Sequence, residues 1–340
     1  MDDASAAEVL SLARQASEQL DGPDSSAWED RLEQDLGRLR AAFDYLVNSR
    51  RDAQALELAT YVWPFQFDRG HADEGRRWLE TALALPGVRG PSPTRTTALY
   101  GAGIFAFRAL DQEAAQRFFD ALLTLAGVLG DDGARLKAYG GLSRVALRRG
   151  DSGAIRRLSH EALTLARQRN VPEECANPLH MLAAAARIDG DLEGARKLYT
   201  ENLELNRKLG VSRWVAAELL NIAAVDVLSG RTASAEKPLT EGLDLVESRL
   251  DHYLLPYALA WIGRLRLARS DPRAAAELLA AASGQAARTG MAMDPDEEPE
   301  FQKSVAMCKD LLTEGEFRTI WERGSLMDFT PAVALARRAL

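Results

Sequence analysis

The chain has 340 residues, 46% of them hydrophobic and 27% charged, and a formal net charge of −8. That balance is ordinary for a folded protein and excludes extended disorder, and the acidity argues against nucleic acid as a whole-surface partner. No apolar run reaches the roughly 18 residues a membrane span needs; the amino terminus, MDDASAAEVL, is acidic where a signal peptide is basic; and Cys175 and Cys308 are too far apart for a metal or redox motif, so a cytoplasmic location is expected.

In chain order, residues 3–20 and 26–48 read as two amphipathic helices joined by the turn DGPDSS, and residues 1–50 as an N-terminal cap. Residues 51–290 then repeat six times with a period of 40. Gly70, Leu110, Gly150, Gly190, Gly230 and Ser270 each begin a polar turn: GHADEG, LDQEAA, GDSGAI, GDLEGA, GRTASA and SDPRAA. Twenty residues further on, Gly90, Gly130, Asn170, Gly210, Leu250 and Gly290 mark expected helix ends, mostly residue types that accept a left-handed backbone. Each unit therefore predicts two antiparallel amphipathic helices. Small residues five after the turn (Gly75, Ala115, Ala195, Ala235, Ala275) permit close helix approach, and Pro64 and Pro238 predict local kinks.

Residues 291–299, MAMDPDEEP, read as an acidic, solvated linker, and residues 300–340 as three short helices forming a C-terminal cap. The fold class expected is all-α: a tandem helix-turn-helix solenoid wound as a right-handed superhelix.

The 182–203 segment resembles the tetratricopeptide (TPR) signature, with Leu182, Ala183 and Ala186 in the first helix and Ala195, Tyr199 and Leu203 in the second. The period exceeds the roughly 34 residues of that motif because the helices are longer. Three further segments resemble the C-terminal repeat region of bacterial STAND-class signalling ATPases, a group that includes LuxR-type and antibiotic-regulatory transcription regulators. They carry Trp28, Leu32, Leu39, Arg40, Ala41 and Ala42; then Glu74, Gly75, Arg76, Trp78 and Leu79; then Phe317, Trp321, Gly324, Ala332, Ala334 and Ala336. Gly37 and Arg38 depart from the family's usual Asp-Asn. The resemblance implies a sensory or regulatory arm, with an ATPase or DNA-binding effector supplied in cis or in trans.

Catalytic signatures are missing. There is no phosphate-binding loop, no nucleophile elbow and no H-E-x-x-H, since His160-Glu161 lacks the second histidine. His71, His160, His180 and His252 fall in different units, so no metal or other cofactor is expected, and no enzyme. Gly101 and Gly103, in YGAGIF, read as a close-packing pair.

The TPR resemblance places a concave groove on the first helices, at positions thirteen, ten, six, three and two before each turn residue. In units two to six these include Tyr100, Phe107, Arg108, Lys137, Arg144, Arg148, Asn177, His180, Arg187, Tyr257 and Arg264. Six of the 25 positions are basic and none is acidic, which predicts a positive strip (Arg108, Lys137, Arg144, Arg148, Arg187) that takes an acidic protein or peptide segment. The function expected is a non-catalytic, protein- or peptide-binding regulatory module, with no direct nucleic-acid or membrane contact. A passive assembly scaffold is the alternative.

Overall fold

The computed structural model describes residues 1–20, 25–289, 293–294 and 296–340. Among the described residues every regular element is helical and none is a strand, so the fold is the all-α repeat solenoid that the 40-residue phase predicts. The chain divides into two compact units, Met1–Val145 and Ala146–Leu340.

The first unit opens with α1 (Asp3–Ser17), α2 (Ser25–Gln34) and α3 (Leu36–Asn48). The helix expected over 26–48 is thus parted at Asp35, where two weak helix formers, Asp35 and Gly37, lie close together. Two helix pairs follow, α4 (Asp52–Asp68) with α5 (Ala72–Ala84) and α6 (Pro93–Arg108) with α7 (Gln112–Leu129). Next comes α8 (Asp132–Arg148), within which the division between units falls. Small residues set the packing here. A Cβ on Gly103 would lie 2.4 Å from the Phe119 ring and one on Gly141 would lie 2.6 Å from it, so both glycines make room for one buried phenyl group. Gly101 makes room in the same way for Leu79 and Trp63. Gly90 closes no helix: Pro86 follows the end of α5, a short 3-10 turn runs over Pro86–Val88, and Gly90 keeps an ordinary φ. Gly290 lies outside the described residues.

The second unit continues with α9 (Ser152–Arg169), α10 (Ala176–Ile188), α11 (Leu192–Leu209), α12 (Ser212–Leu228), α13 (Thr232–Ser248), α14 (Leu255–Ala268) and α15 (Pro272–Thr289). It ends with α16 (Glu298–Leu311), α17 (Glu314–Ser325) and α18 (Phe329–Ala339). Leu203 is buried with Tyr199, Val215 and Leu219, which joins α11 to α12. At the far end Phe301, Val305 and Cys308 of α16 and Phe329 and Val333 of α18 share one apolar core with Leu255 and Trp261 of α14 and Leu278 of α15. Both internal prolines are accommodated: α4 runs through Pro64 and α13 through Pro238 without ending. Each forfeits one backbone bond, which the packing of a long helix can absorb.

The repeat is built at the joints. At Leu110, Gly150 and Gly190 the residue after the helix takes a left-handed φ of 60°, 67° and 78°. The next N–H then donates back across the helix end, Asp111 to Ala106, Asp151 to Ala146 and Asp191 to Ala186, at 2.9, 3.0 and 2.9 Å. This six-to-one bond is the Schellman motif, and it satisfies carbonyls the helix leaves open. The same aspartate then caps the following helix: Asp111, Asp151 and Asp191 accept from the backbone N–H of Ala114, Ala154 and Gly194 at 3.0, 2.9 and 2.9 Å. Two adjacent residues therefore end one helix and start the next. Left-handed residues recur at 130, 170, 210, 230, 250 and 270, so the joints fall every 20 residues over this stretch.

Candidate functional site

The first helices of the two units present different faces. In the first unit, half-buried aromatic side chains lie beside exposed cations. Trp63 stands edge-on to Tyr100 at a 6.0 Å ring separation and to Phe67 at 6.4 Å. The Arg108 guanidinium sits 5.1 Å above the Phe67 ring and Lys137 Nζ 5.4 Å above the Tyr100 ring. An aromatic face attracts a cation through its quadrupole, by about 0.5–1 kcal/mol where solvent reaches it. Phe107 and Arg144 are half-buried on the same helices, α6 and α8.

The second unit carries a charge network of another kind. Arg187, near the end of α10, is 7% exposed. It pairs with the Asp296 carboxylate, and its Nη1 lies 2.6 Å from Glu297 Oε1. Burial opposes the guanidinium's charge, but the two carboxylates outweigh burial and hold its pKa well above the ordinary value. Glu297 also accepts from Trp261 Nε1 at 2.7 Å, and Asp294 accepts from Tyr257 Oη at 3.0 Å. Farther along, Arg264 lies 3.8 Å from Glu300, and its Nη1 donates to Met307 Sδ at 2.7 Å. Burial pushes the Asp294 carboxyl above its usual range, and neighbouring Asp296 adds to the shift; Tyr257, Arg148 and His180 pull the other way. Burial likewise raises Glu297, against the pull of Arg187. Tyr257 is raised by burial and by Asp294, and Tyr199 chiefly by burial.

Behind this layer sits a second one. His180 Nδ1 of α10 lies 2.8 Å from Glu218 Oε1 of α12, and the same oxygen accepts from Asn202 Nδ2 of α11 at 2.9 Å. Glu218 is fully buried. Tyr199 Oη and Glu218 Oε2 are buried without a hydrogen-bond partner among the described residues.

Two expectations need correcting. The acidic break does not run through solvent, because Asp294, Asp296 and Glu297 fold back onto α10 and α14, where cations and donors compensate their burial. Nor is Arg187 an exposed groove residue. The position three before the turn residue is buried at Leu147, Arg187, Val227 and Leu267, because it packs toward the joint. Tyr257 is buried as well, while Asn177, His180, Arg148 and Arg264 are half-buried. The structure thus gathers Arg148, His180, Arg187, Tyr257 and Arg264 about one acidic segment in the second unit, and Tyr100, Phe107, Arg108, Lys137 and Arg144 fall in the first. Trp261 and Glu218 were missed. The sequence signal for Glu218 is a lone charge within the mostly apolar stretch WVAAELLNIAAV, while Trp261 lies at none of the five groove positions.

Among the described residues no cluster of His, Cys, Asp and Glu could hold a metal ion, and no helix is long and apolar enough to cross a membrane. No family model and no curated protein sequence matches the chain. Solved structures do resemble it in fold. The apo form of RapI superposes with a TM-score of 0.62 at 10% identity, covering 84% of this chain and 98% of RapI. A tetratricopeptide repeat protein from Parabacteroides merdae gives 0.53 at 14% identity, covering 86% and 99%. The Rap conjugation gene regulator of plasmid pLS20, solved with the Phr* peptide, gives 0.56 at 11% identity, covering 94% and 98%. The class defined is a TPR-like helical solenoid.

Proposed function

We propose that this chain is a protein- or peptide-binding TPR module that serves as the regulatory arm of a bacterial signalling or transcription regulator and acts in the cytoplasm. One observation carries the reading: side chains from α10 and α14 converge on an acidic segment of the chain itself, with Arg187, Tyr257 and Trp261 all engaging carboxylates. A face that organises an arginine and two aromatic donors around carboxylates is built for an extended acidic ligand. The fold likeness to a conjugation gene regulator solved with a peptide agrees with this, as does the resemblance of the repeats to those of STAND-class regulators.

Calorimetric titration with an Asp/Glu-rich peptide and its Asn/Gln isostere tests the reading. The acidic peptide binds, and its affinity falls as salt shortens the Debye length. Equal affinity for the two peptides at all salt concentrations would count against carboxylate recognition. Small-angle scattering separates a regulatory arm from a passive scaffold, since only the former changes its dimensions on saturation with ligand.

A further inference from the structure

The acidic segment of the second unit is held as a ligand is held. Its carboxylates at positions 294, 296 and 297 meet side chains from α10 and α14, more than a hundred residues away in the case of Arg187 and Asp296. The Arg187 guanidinium supplies the selective contact, paired with both Asp296 and Glu297, while an indole N–H on Glu297 and a phenol on Asp294 donate to the same carboxylates. Arg148 adds positive charge on the Asp294 side, and His180 pulls the Asp294 carboxyl in the same direction. Met293 before this stretch and Phe301 after it pack on the apolar core and Glu298 begins α16, so the polar contacts act between two apolar anchors.

Taking that reading of the face as its base, we propose that the Asp294, Asp296 and Glu297 carboxylates are a built-in occupant of an acidic-ligand site in the second unit, and that the true ligand is a carboxylate-rich segment of a partner protein that binds by displacing them. The partner's segment carries Asp or Glu at its first, third and fourth positions, as in Asp294-Pro295-Asp296-Glu297. Charge complementarity selects this occupant, because the site's reachable groups are cationic or donating: Arg148, His180, Arg187, Tyr257 and Trp261. Glu218, the acid behind them, is already engaged by His180 and Asn202. A tethered occupant competes at an effective concentration of about millimolar, so only a partner with further contacts, or one at high local concentration, opens the site. Buried carboxylates raised above their usual range make the occupant exchangeable, since their desolvation offsets part of what Arg187 provides.

The test uses the full chain and a fluorescein-labelled peptide with the sequence of residues 293–300, read by anisotropy. Replacing Asp296→Asn and Glu297→Gln together frees the site, and the variant binds the peptide at least tenfold more tightly than the wild type. Adding Arg187→Gln removes that gain. In the wild type, which needs no substitution, saturating unlabelled peptide accelerates amide hydrogen exchange at residues 296–300. Equal peptide affinity in the wild type and the double variant, or unchanged exchange at residues 296–300 under saturation, would overturn the self-occupied site while leaving peptide binding itself in place. No peptide binding to either protein would overturn both readings.

Discussion

The two units are made of the same helix pairs and the same joints, yet they handle charge in opposite ways. In the first unit Arg108 and Lys137 are exposed and lie over aromatic rings, with no acidic segment upon them among the described contacts. In the second, Arg187 is buried and its charge is met by two carboxylates brought from the far end of the unit. A cation over a half-exposed ring costs little to keep, whereas a buried arginine must be paired or else regain water. A repeat scaffold therefore does not determine how its face is used. Side chains at a few positions in each pair do.

The largest effect expected is on Arg187. Replacing Arg187→Met leaves the Asp296 and Glu297 carboxylates buried without a counter-charge, at a cost of about 3–5 kcal/mol. Urea denaturation followed by circular dichroism should show it as a lower midpoint for the second unit, and an unmoved midpoint would mean that the segment is not docked on Arg187. The double change Arg108→Met and Lys137→Met in the first unit is the matched control.

Protonation should also separate the units. Asp111 of the first unit is held below the usual carboxylate range by Arg76 and by the Ala114 N–H, so its contribution is complete above the unfolded pKa and is lost as pH falls through the folded one. Asp294 and Glu297 are raised, so theirs is complete below the unfolded pKa and is lost as pH rises through the folded values. Carboxyl carbon chemical shifts in a labelled sample should place the Asp111 midpoint below the ordinary range and those of Asp294 and Glu297 above it. The reverse order would show that burial does not govern the docked segment.

A smaller change tests what the units share. Leu110 and Leu250, with φ of 60° and 50°, hold left-handed joints with a branched side chain. Leu→Gly at either position should relieve about 1 kcal/mol and raise the melting temperature in both units alike. A gain in one unit alone would show that the joints are not equivalent. The matched control, Arg108→Met with Lys137→Met, should shift stability least, by under about 1 kcal/mol, and leave capture of acidic peptides by the second unit unchanged.

The joints were legible in the sequence because they are local. A left-handed residue, at several joints followed by aspartate, needs only its neighbours to act, and the 40-residue recurrence made the pattern visible. The small residues at 75, 115, 195, 235 and 275 were legible for the same reason, and all are buried. Occupation of the second unit's face was not legible. Charge counting marked Arg187 as part of a basic strip and residues 291–299 as an acidic, solvated linker, but it could not show that Arg187 meets Asp296 across a separation of 109 residues. Pro86 likewise shortened α5 and displaced the expected helix end from Gly90, an effect that a count of glycines at fixed spacing hides.

The joints also bear on how the chain folds. Most are closed by backbone bonds spanning five residues, and several also by an aspartate that reaches three residues ahead, as at Asp111 and Asp151. Closing so short a loop takes little entropy, and contacts between neighbouring helices keep the average sequence separation low, which is the condition for fast folding. A helix pair therefore needs only its sequence neighbours to close its core, with no need to wait for distant sequence. The exception is the pairing of Arg187 with Asp296, which cannot form until more than a hundred further residues have been made; the second unit's face is open during synthesis and closes last.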